Sequence, residues 1–199
     1  MIFDGDLNDI KHVRKFVRDC DRIYHLAGKN REDEGAILKN NIVSTANLVL
    51  ATILEEVDPE IIFASSKQVE WNGRSEYGFT KLTEEEIIKK AGKWCIFRIP
   101  NVYGPGCRPF YNSVIATFCY QIAKGEPVTI KDPGIAREFI FIDDLIESLL
   151  EPELGSYNHP RGQVMTLGEI YSLLTDRIGS HRNLERCLSY FKEGVEIDA

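Results

Sequence analysis

Residues 60–81 read EIIFASSKQVEWNGRSEYGFTK. EIIFA is short, apolar and bounded by Pro59, so it reads as a strand buried on both faces. The polar loop KQVEWNGRS follows, and residues 76–91 then carry a helical pattern. The neighbouring stretches repeat this alternation. RIYHLAG (22–28) is a strand running into glycine, and residues 34–57 form an amphipathic helix with Val43, Leu50 and Leu54 on one face, stopped before Pro59. WCIFRIPNVYGPG (94–106) is a strand ending in a Pro/Gly turn. Upstream, MIF is a short apolar strand, and LNDIKHVRKFVRDC (7–20) places Ile10, Val13, Phe16 and Val17 at helical spacing behind a cap at Asn8 or Asp9. Apolar strands separated by helices imply an α/β fold on a parallel sheet, which binds ligands outside the carboxyl ends of its strands. The candidate functional loops therefore begin AG, SS and PNVYG.

From residue 112 the texture changes. NSVIATFCYQIAKG is a helix stopped at Gly125, PVTI and EFIFI are strand-like, and a further helix is capped at Asp143 or Asp144. After residue 150 come the loop EPELGSYNHPRGQV and two weaker helices, TLGEIYSLLTDRI and NLERCLSYF. The expected division is a main domain over 1–150 and a helical part of a small lobe over 151–199. The composition, 43% hydrophobic and 28% charged, is that of a globular chain, with no apolar run long enough to span a membrane and no signal-peptide pattern. The expected location is the cytoplasm. Five cysteines without a C-x-x-C pair or a histidine cluster argue against zinc and disulfides, and no metal site is expected. A net charge of -7 with no basic run argues against nucleic acid as a partner.

Within the opening stretch, Ser66 follows a buried strand while Tyr77 and Lys81 lie one turn apart on the next helix. Hydride transfer at an oxygen-bearing carbon needs a proton moved on that oxygen, and a tyrosine beside a cation can move it. Ser66 is placed to hydrogen-bond the same oxygen. A Tyr followed four places later by Lys is by itself also an ordinary solvated helix pair; strand end and helix start give it weight. His25 reads as a core residue, Asp143 and Asp144 as helix-capping residues, and Trp71 as either a pocket wall or a packing residue.

The series GDLND, RIYHLAG, NNIVSTANLVLA, FASS, YGFTK, FRIPNVYGPG and REFIFIDDL resembles the extended short-chain dehydrogenase/reductase family of NAD(P)-dependent nucleotide-sugar epimerases, dehydratases and reductases, over residues 1 to about 150. The short Ser66-to-Tyr77 loop, PNVYGPGCRPFYNSVIATFCYQIA and VMTLGEI look most like capsular-polysaccharide reductases of UDP-linked 4-keto-6-deoxy-N-acetylhexosamines. The resemblance implies a Rossmann-like doubly wound sheet with a small C-terminal substrate-binding lobe, NAD or NADP as cofactor and a UDP-sugar as substrate, with 4-epimerisation or a non-catalytic remnant as alternatives. It implies that Tyr77 is the acid/base, that Lys81 lowers the tyrosine pKa and holds the nicotinamide ribose, that Ser66 polarises the C4 carbonyl, and that Asn41 supports them. Leu26, Ala27 and Gly28 would pass beneath the cofactor, Pro100 would lie near the nicotinamide and Asp6 near the adenosine. Asn101, Asn112 and Arg137 would face the nucleotide sugar. Without the resemblance, Asn41 reads as a helix-surface residue, Gly28 as a loop former and Arg137 as a surface charge. Family dimers use two long helices, here 34–57 and 76–91, which implies a homodimer.

One feature of that family is missing: no G-x-x-G-x-x-G or G-x-G-x-x-G occurs. Those glycines let the pyrophosphate approach the backbone and a helix N-terminus, so cofactor affinity is expected to fall. The fold reads as truncated at the N-terminus, and the edge of RIYHL is expected to be closed by pairing with MIFDG.

Overall fold

The computed structural model describes residues 1–30, 35–71, 75–176 and 179–194. Helix α1 (Ile10–Val17) is capped by the Asp9 side chain, which accepts from Lys11 N, and it buries Val13 and Val17. Strand β1 (Arg22–His25) leads by way of Gly35, at φ 88°, to α2 (Ala36–Leu54). Strand β2 (Glu60–Ser66) and α3 (Glu76–Ile88) follow, the helix capped by Ser75 Oγ on Gly78 N, and then β3 (Lys93–Ile99). Beyond these come β4 (Asn101–Tyr103), α4 (Val114–Lys124), β5 (Ala136–Phe141), α5 (Ile142–Leu150), β6 (Ser156–Asn158), β7 (Gln163–Thr166), α6 (Leu167–Thr175) and α7 (Arg182–Lys192).

The chain divides into two units, one of Met1–Ile99 with Leu149–His159, the other of Pro100–Ser148 with the chain from Pro160 onward. In the first, β1, β2, β3 and β6 form a parallel sheet in that order, with Ile62 opposite Tyr24 on one side and Cys95 on the other. Alternate residues of the central strands face opposite ways. Ile61, Phe63 and Ile96 join Val13, Leu48, Ala51 and Ile88 in one core, while Ile62, Cys95 and Phe97 on the opposite face are also fully buried. Continuous apolar runs are what a sheet covered on both faces requires. In the second unit, β4 pairs parallel with β5 and β5 antiparallel with β7, over a core that includes Tyr103, Phe139, Phe141, Cys119, Leu184 and Phe191. Helix α4 stops at Gly125, which takes φ 69°, as the sequence indicates.

Four local expectations need correction. MIF forms no strand: Met1 and Ile2 are over 90% exposed, and Phe3 lies edge-on against Phe16 of α1. Asn47 Nδ2 donates to Leu7 O at 2.9 Å, tying the segment to α2 rather than to the sheet. A groove of about 750 Å3 lined by Ile2, Phe16 and Tyr24 remains, and among the described residues β1 pairs with β2 alone. Residues 127–130 (PVTI) have no regular structure. Conversely, the expected loop 151–164 holds β6, which is too short and polar to show as a run and is fixed by Gly155 N donating to Trp94 O at 2.6 Å and by Tyr157 against Trp94. Asp143 and Asp144 occupy the first turn of α5 rather than its cap, where their charge still suits the helix dipole, and Asp143 pairs with Arg186 at 2.7 Å.

Candidate active site

Ser66 is the last residue of β2, and its Oγ accepts from Gln68 N at 3.2 Å, opening the short 3-10 turn Lys67–Glu70. That acceptor role leaves the hydroxyl able to donate. The turn then lies on the start of α3 so closely that a Cβ on Gly78 would stand 2.9 Å from Gln68 O, and Ser75 Oγ donates to Gln68 Oε1 at 3.0 Å. Glycine after Tyr77 is what lets the strand-end serine and the helix-start tyrosine belong to one packed corner.

The buried face of α3 carries Lys81, Glu84, Glu85 and Ile88, the i, i+3, i+4, i+7 series of one helix face. Lys81, 3% exposed, places Nζ 3.2 Å from Glu84 Oε2, 4.6 Å from the Phe63 ring centroid and 6.0 Å from that of Tyr77. The same Nζ would be 3.1 Å from a Cβ on Gly28, so the loop after β1 passes close to the ammonium and any larger residue there would press on it. Asn41 is buried on α2 and clamps that loop from both ends of one amide, accepting from Lys29 N and donating to Lys29 O, each at 2.8 Å. Leu26, Ala27 and Gly28 are exposed along it.

Two glutamates that the sequence reading passed over organise the site. Glu84 is fully buried; Thr45 Oγ1 donates to its Oε1 at 2.7 Å, and His25 Nε2 lies 2.8 Å from the same Thr45 oxygen. With the Thr45 proton directed to Glu84, His25 donates to Thr45 from a protonated Nε2. Glu85 faces the other way. It accepts from Arg98 Nη2 at 2.8 Å and Arg98 Nε at 3.1 Å, and from Ser65 Oγ at 2.5 Å, tying α3 to β2 and β3. The signal for both was their helical spacing from Lys81 and Ile88.

Electrostatics differ from the lowering of the tyrosine pKa that the resemblance implies. Burial, and then the Glu84 charge, push Tyr77 up to about 12. Burial pulls Lys81 down against the opposing Glu84 carboxylate, and burial pushes Glu84 up against Lys81 and Thr45. His25 is driven down to about 3 by burial and then by the Lys81 charge.

Of the remaining candidates, Asp6 closes a turn, accepting from Asn8 N and Nδ2 at 2.9 Å each. Pro100 is buried and Asn101, whose Nδ2 donates to Glu138 O at 2.9 Å, is exposed; both belong to the second unit, as do the exposed Asn112 and Arg137. Trp71 is exposed, 45%, at the end of the 3-10 turn.

Residues 1–151 match the NAD dependent epimerase/dehydratase family. The chain belongs to that family. A Pseudomonas aeruginosa protein, UDP-2-acetamido-2,6-beta-L-arabino-hexul-4-ose reductase, is 30% identical over 190 residues, covering 89% of this chain and 50% of its own length. The chain thus spans about half the length of this curated relative. Capsular polysaccharide assembling protein CapF from Staphylococcus aureus superimposes with a TM-score of 0.70 at 26% identity, over 92% of this chain and 55% of that one. RMD from Pseudomonas aeruginosa, complexed with NADPH, superimposes with a TM-score of 0.85 at 19% identity, over 98% and 90%, and shows the shared α/β fold.

The family's nicotinamide cofactor fits part of what is present. A glycine that a Cβ would crowd, a buried ammonium beneath it and an amide-clamped exposed loop suit the ribose and nicotinamide end. The pyrophosphate has no glycine-rich loop in this sequence to receive it.

The His25 geometry predicts acid sensitivity. With a folded pKa near 3 against an ordinary 6.5, the unfolded chain binds the extra proton, so this contribution is present above about pH 6.5 and is lost as pH falls toward 3. The loss is at most about 5 kcal/mol. Denaturant titrations between these limits should show a flatter pH slope for His25→Gln than for the parent; equal slopes would show that His25 is not buried neutral.

Proposed function

We propose that these residues form the acid/base side of a nucleotide-sugar oxidoreductase that reduces the 4-keto group of a UDP-linked 4-keto-6-deoxy sugar for surface polysaccharide biosynthesis. The observation that carries this reading is the corner in which α3 presents Tyr77 and Lys81 beside the carboxyl end of β2 and Ser66. The 30% identity to a hexul-4-ose reductase supports the direction and the class of substrate.

Bound NADH or NADPH supplies hydride to the C4 carbon. Tyr77 gives its proton to the C4 oxygen, and Ser66 donates a hydrogen bond to that oxygen. Lys81 and the Asn41-clamped loop Leu26, Ala27 and Gly28 hold the ribose end of the cofactor, with Pro100 beside the nicotinamide and Asp6 toward the adenosine. Asn101, Asn112 and Arg137 hold the nucleotide sugar, the guanidinium of Arg137 being suited to a diphosphate. The setting is cytoplasmic, in keeping with free thiols at all five cysteines; among the described residues no helix is long and apolar enough to cross a membrane.

Titration with NADPH and NADH should show binding, and Tyr77→Phe should lower turnover by about 10² or more while leaving cofactor affinity within about twofold. The second reading is a non-catalytic chain that binds a nucleotide sugar or a partner subunit. It prevails if no binding appears up to about 1 mM cofactor. A 4-epimerase would instead oxidise and re-reduce the sugar on retained cofactor. Deuterium from labelled NAD(P)H is expected in the product stoichiometrically, and its absence during turnover points to the epimerase.

The reading includes a homodimer through α2 and α3. These helices border an apolar groove of about 400 Å3 lined by Val49, Leu50, Ile53 and Ile87, with Leu50 45% and Ile53 58% exposed. The double variant Leu50→Glu/Ile53→Glu should sediment as a monomer with unchanged circular dichroism. An assembly state identical to the parent's removes this interface.

A further inference from the structure

A buried lysine one turn from a tyrosine would, alone, stabilise the phenolate and make the tyrosine a better base. Here the lysine has its own counter-ion. Glu84 lies one turn further along α3, fully buried, with Oε2 3.2 Å from Lys81 Nζ. Apart from that charge contact, Oε2 has no hydrogen-bond partner, so its stability in the core depends on the ammonium. Its other oxygen is pinned by a one-way chain in which His25 Nε2 donates to Thr45 Oγ1 and Thr45 donates to Glu84 Oε1, at 2.8 and 2.7 Å. Every donor in the chain is committed toward Glu84, so Oε1 is held as an acceptor, while the Lys81 ammonium at Oε2 favours the charged carboxylate.

We propose that Glu84 is a positioning residue that neutralises Lys81 and thereby keeps Tyr77 protonated, favouring proton donation to a substrate oxygen over proton removal from a substrate hydroxyl. This rests on the proposed reading of Tyr77 as the acid/base. In the favoured direction the Tyr77 O–H bond breaks and a new O–H bond forms on the C4 oxygen. The C4 carbonyl is reduced by hydride from NAD(P)H, which is oxidised to NAD(P)+, and the phenolate recovers a proton from water. An enzyme that must first oxidise a sugar hydroxyl needs the opposite state, a phenolate ready to take a proton, and a carboxylate paired with the lysine works against it.

Among the described residues, no other charged group lies in direct contact with Lys81. On α3 itself, Glu85, whose charge also acts on Lys81 but after that of Glu84, is paired with Arg98 of β3 and bonded by Ser65 of β2. From β1, His25 is held neutral, and among the described residues α2 brings the uncharged Asn41 and Thr45. From β2 the lysine meets the Phe63 ring face. Glu84 is therefore the acid in direct contact with Lys81 whose removal changes the charge beside Tyr77 without breaking the Glu85–Arg98 tie.

The test uses the 199-residue chain labelled with 13Cζ-tyrosine, the Tyr77 resonance being assigned by its loss in Tyr77→Phe, and titrated by NMR between about pH 7 and 11. In the parent Tyr77 should remain a phenol across most of this range. In Glu84→Gln its midpoint should fall by about one pH unit or more, the size a neighbouring charge produces. A folded Glu84→Gln whose Tyr77 resonance titrates as in the parent overturns the proposal. If that variant does not fold, Thr45→Val decides: loss of the hydroxyl that pins the carboxylate should move the midpoint down in the same direction by a smaller amount, and no movement overturns the proposal. Because the measurement needs no cofactor, failure to bind NAD(P)H would overturn the oxidoreductase reading and leave the Glu84–Tyr77 coupling measurable.

Discussion

A lysine ammonium cannot be taken out of water unless a counter-charge goes with it, and the first unit is arranged around that requirement. Lys81 is buried on α3, so Glu84 must be buried beside it. A buried carboxylate in turn needs donors, and Thr45 of α2 supplies one; the threonine oxygen then needs a donor of its own, which is His25 at the end of β1. One charge thus fixes the relation of a strand and two helices. On the neighbouring position, Glu85 repeats the logic toward Arg98 and Ser65. Two adjacent glutamates, one bonded to α2 and the other to β2 and β3, fix the rotation of α3 about its axis, and that rotation sets where Tyr77 points.

The central strands of the sheet were legible because burial on both faces demands uninterrupted apolar residues, as in IIF and CIF, while the edge strand RIYH alternates exposed and buried residues. Where a strand is held by neighbours rather than by its own pattern, nothing in the sequence marks it. Ser156–Asn158 joins the sheet through the Gly155 and Trp94 backbones and the Tyr157 ring, and its three residues carry no period. MIF failed for the converse reason: three apolar residues meet the pattern of a strand, but Phe3 is drawn onto Phe16 and the loop is tied down at Asn47.

At the candidate site, Ser66 ends β2, Tyr77 opens α3 and Lys81 follows one turn on, positions that spacing in the sequence can mark. Asn41 shows why a residue type alone is ambiguous: on a helix it reads as surface, and only the two bonds to Lys29 show that it shapes a loop. Glu84 and Glu85 were hidden because glutamate in a charged stretch such as TEEEIIKK resembles a solvated face. Their period relative to Ile88 placed them inward, and the partners that make this tolerable, Thr45 and Arg98, lie far off in sequence.

This arrangement separates two properties that are usually discussed together. The affinity of a dinucleotide rests heavily on backbone amides and a helix N-terminus around its pyrophosphate, features tied to the glycine-rich loop. The Tyr77 phenol is held protonated by burial and then by the Glu84 charge, neither of which depends on a glycine-rich loop. On the proposed reading, weak cofactor binding would therefore leave the acid/base side of the corner unchanged, while loss of Glu84 would alter it without removing any residue proposed to hold the cofactor. The charge balance at Tyr77 is a property of the folded helix and its strand contacts, established before a ligand arrives.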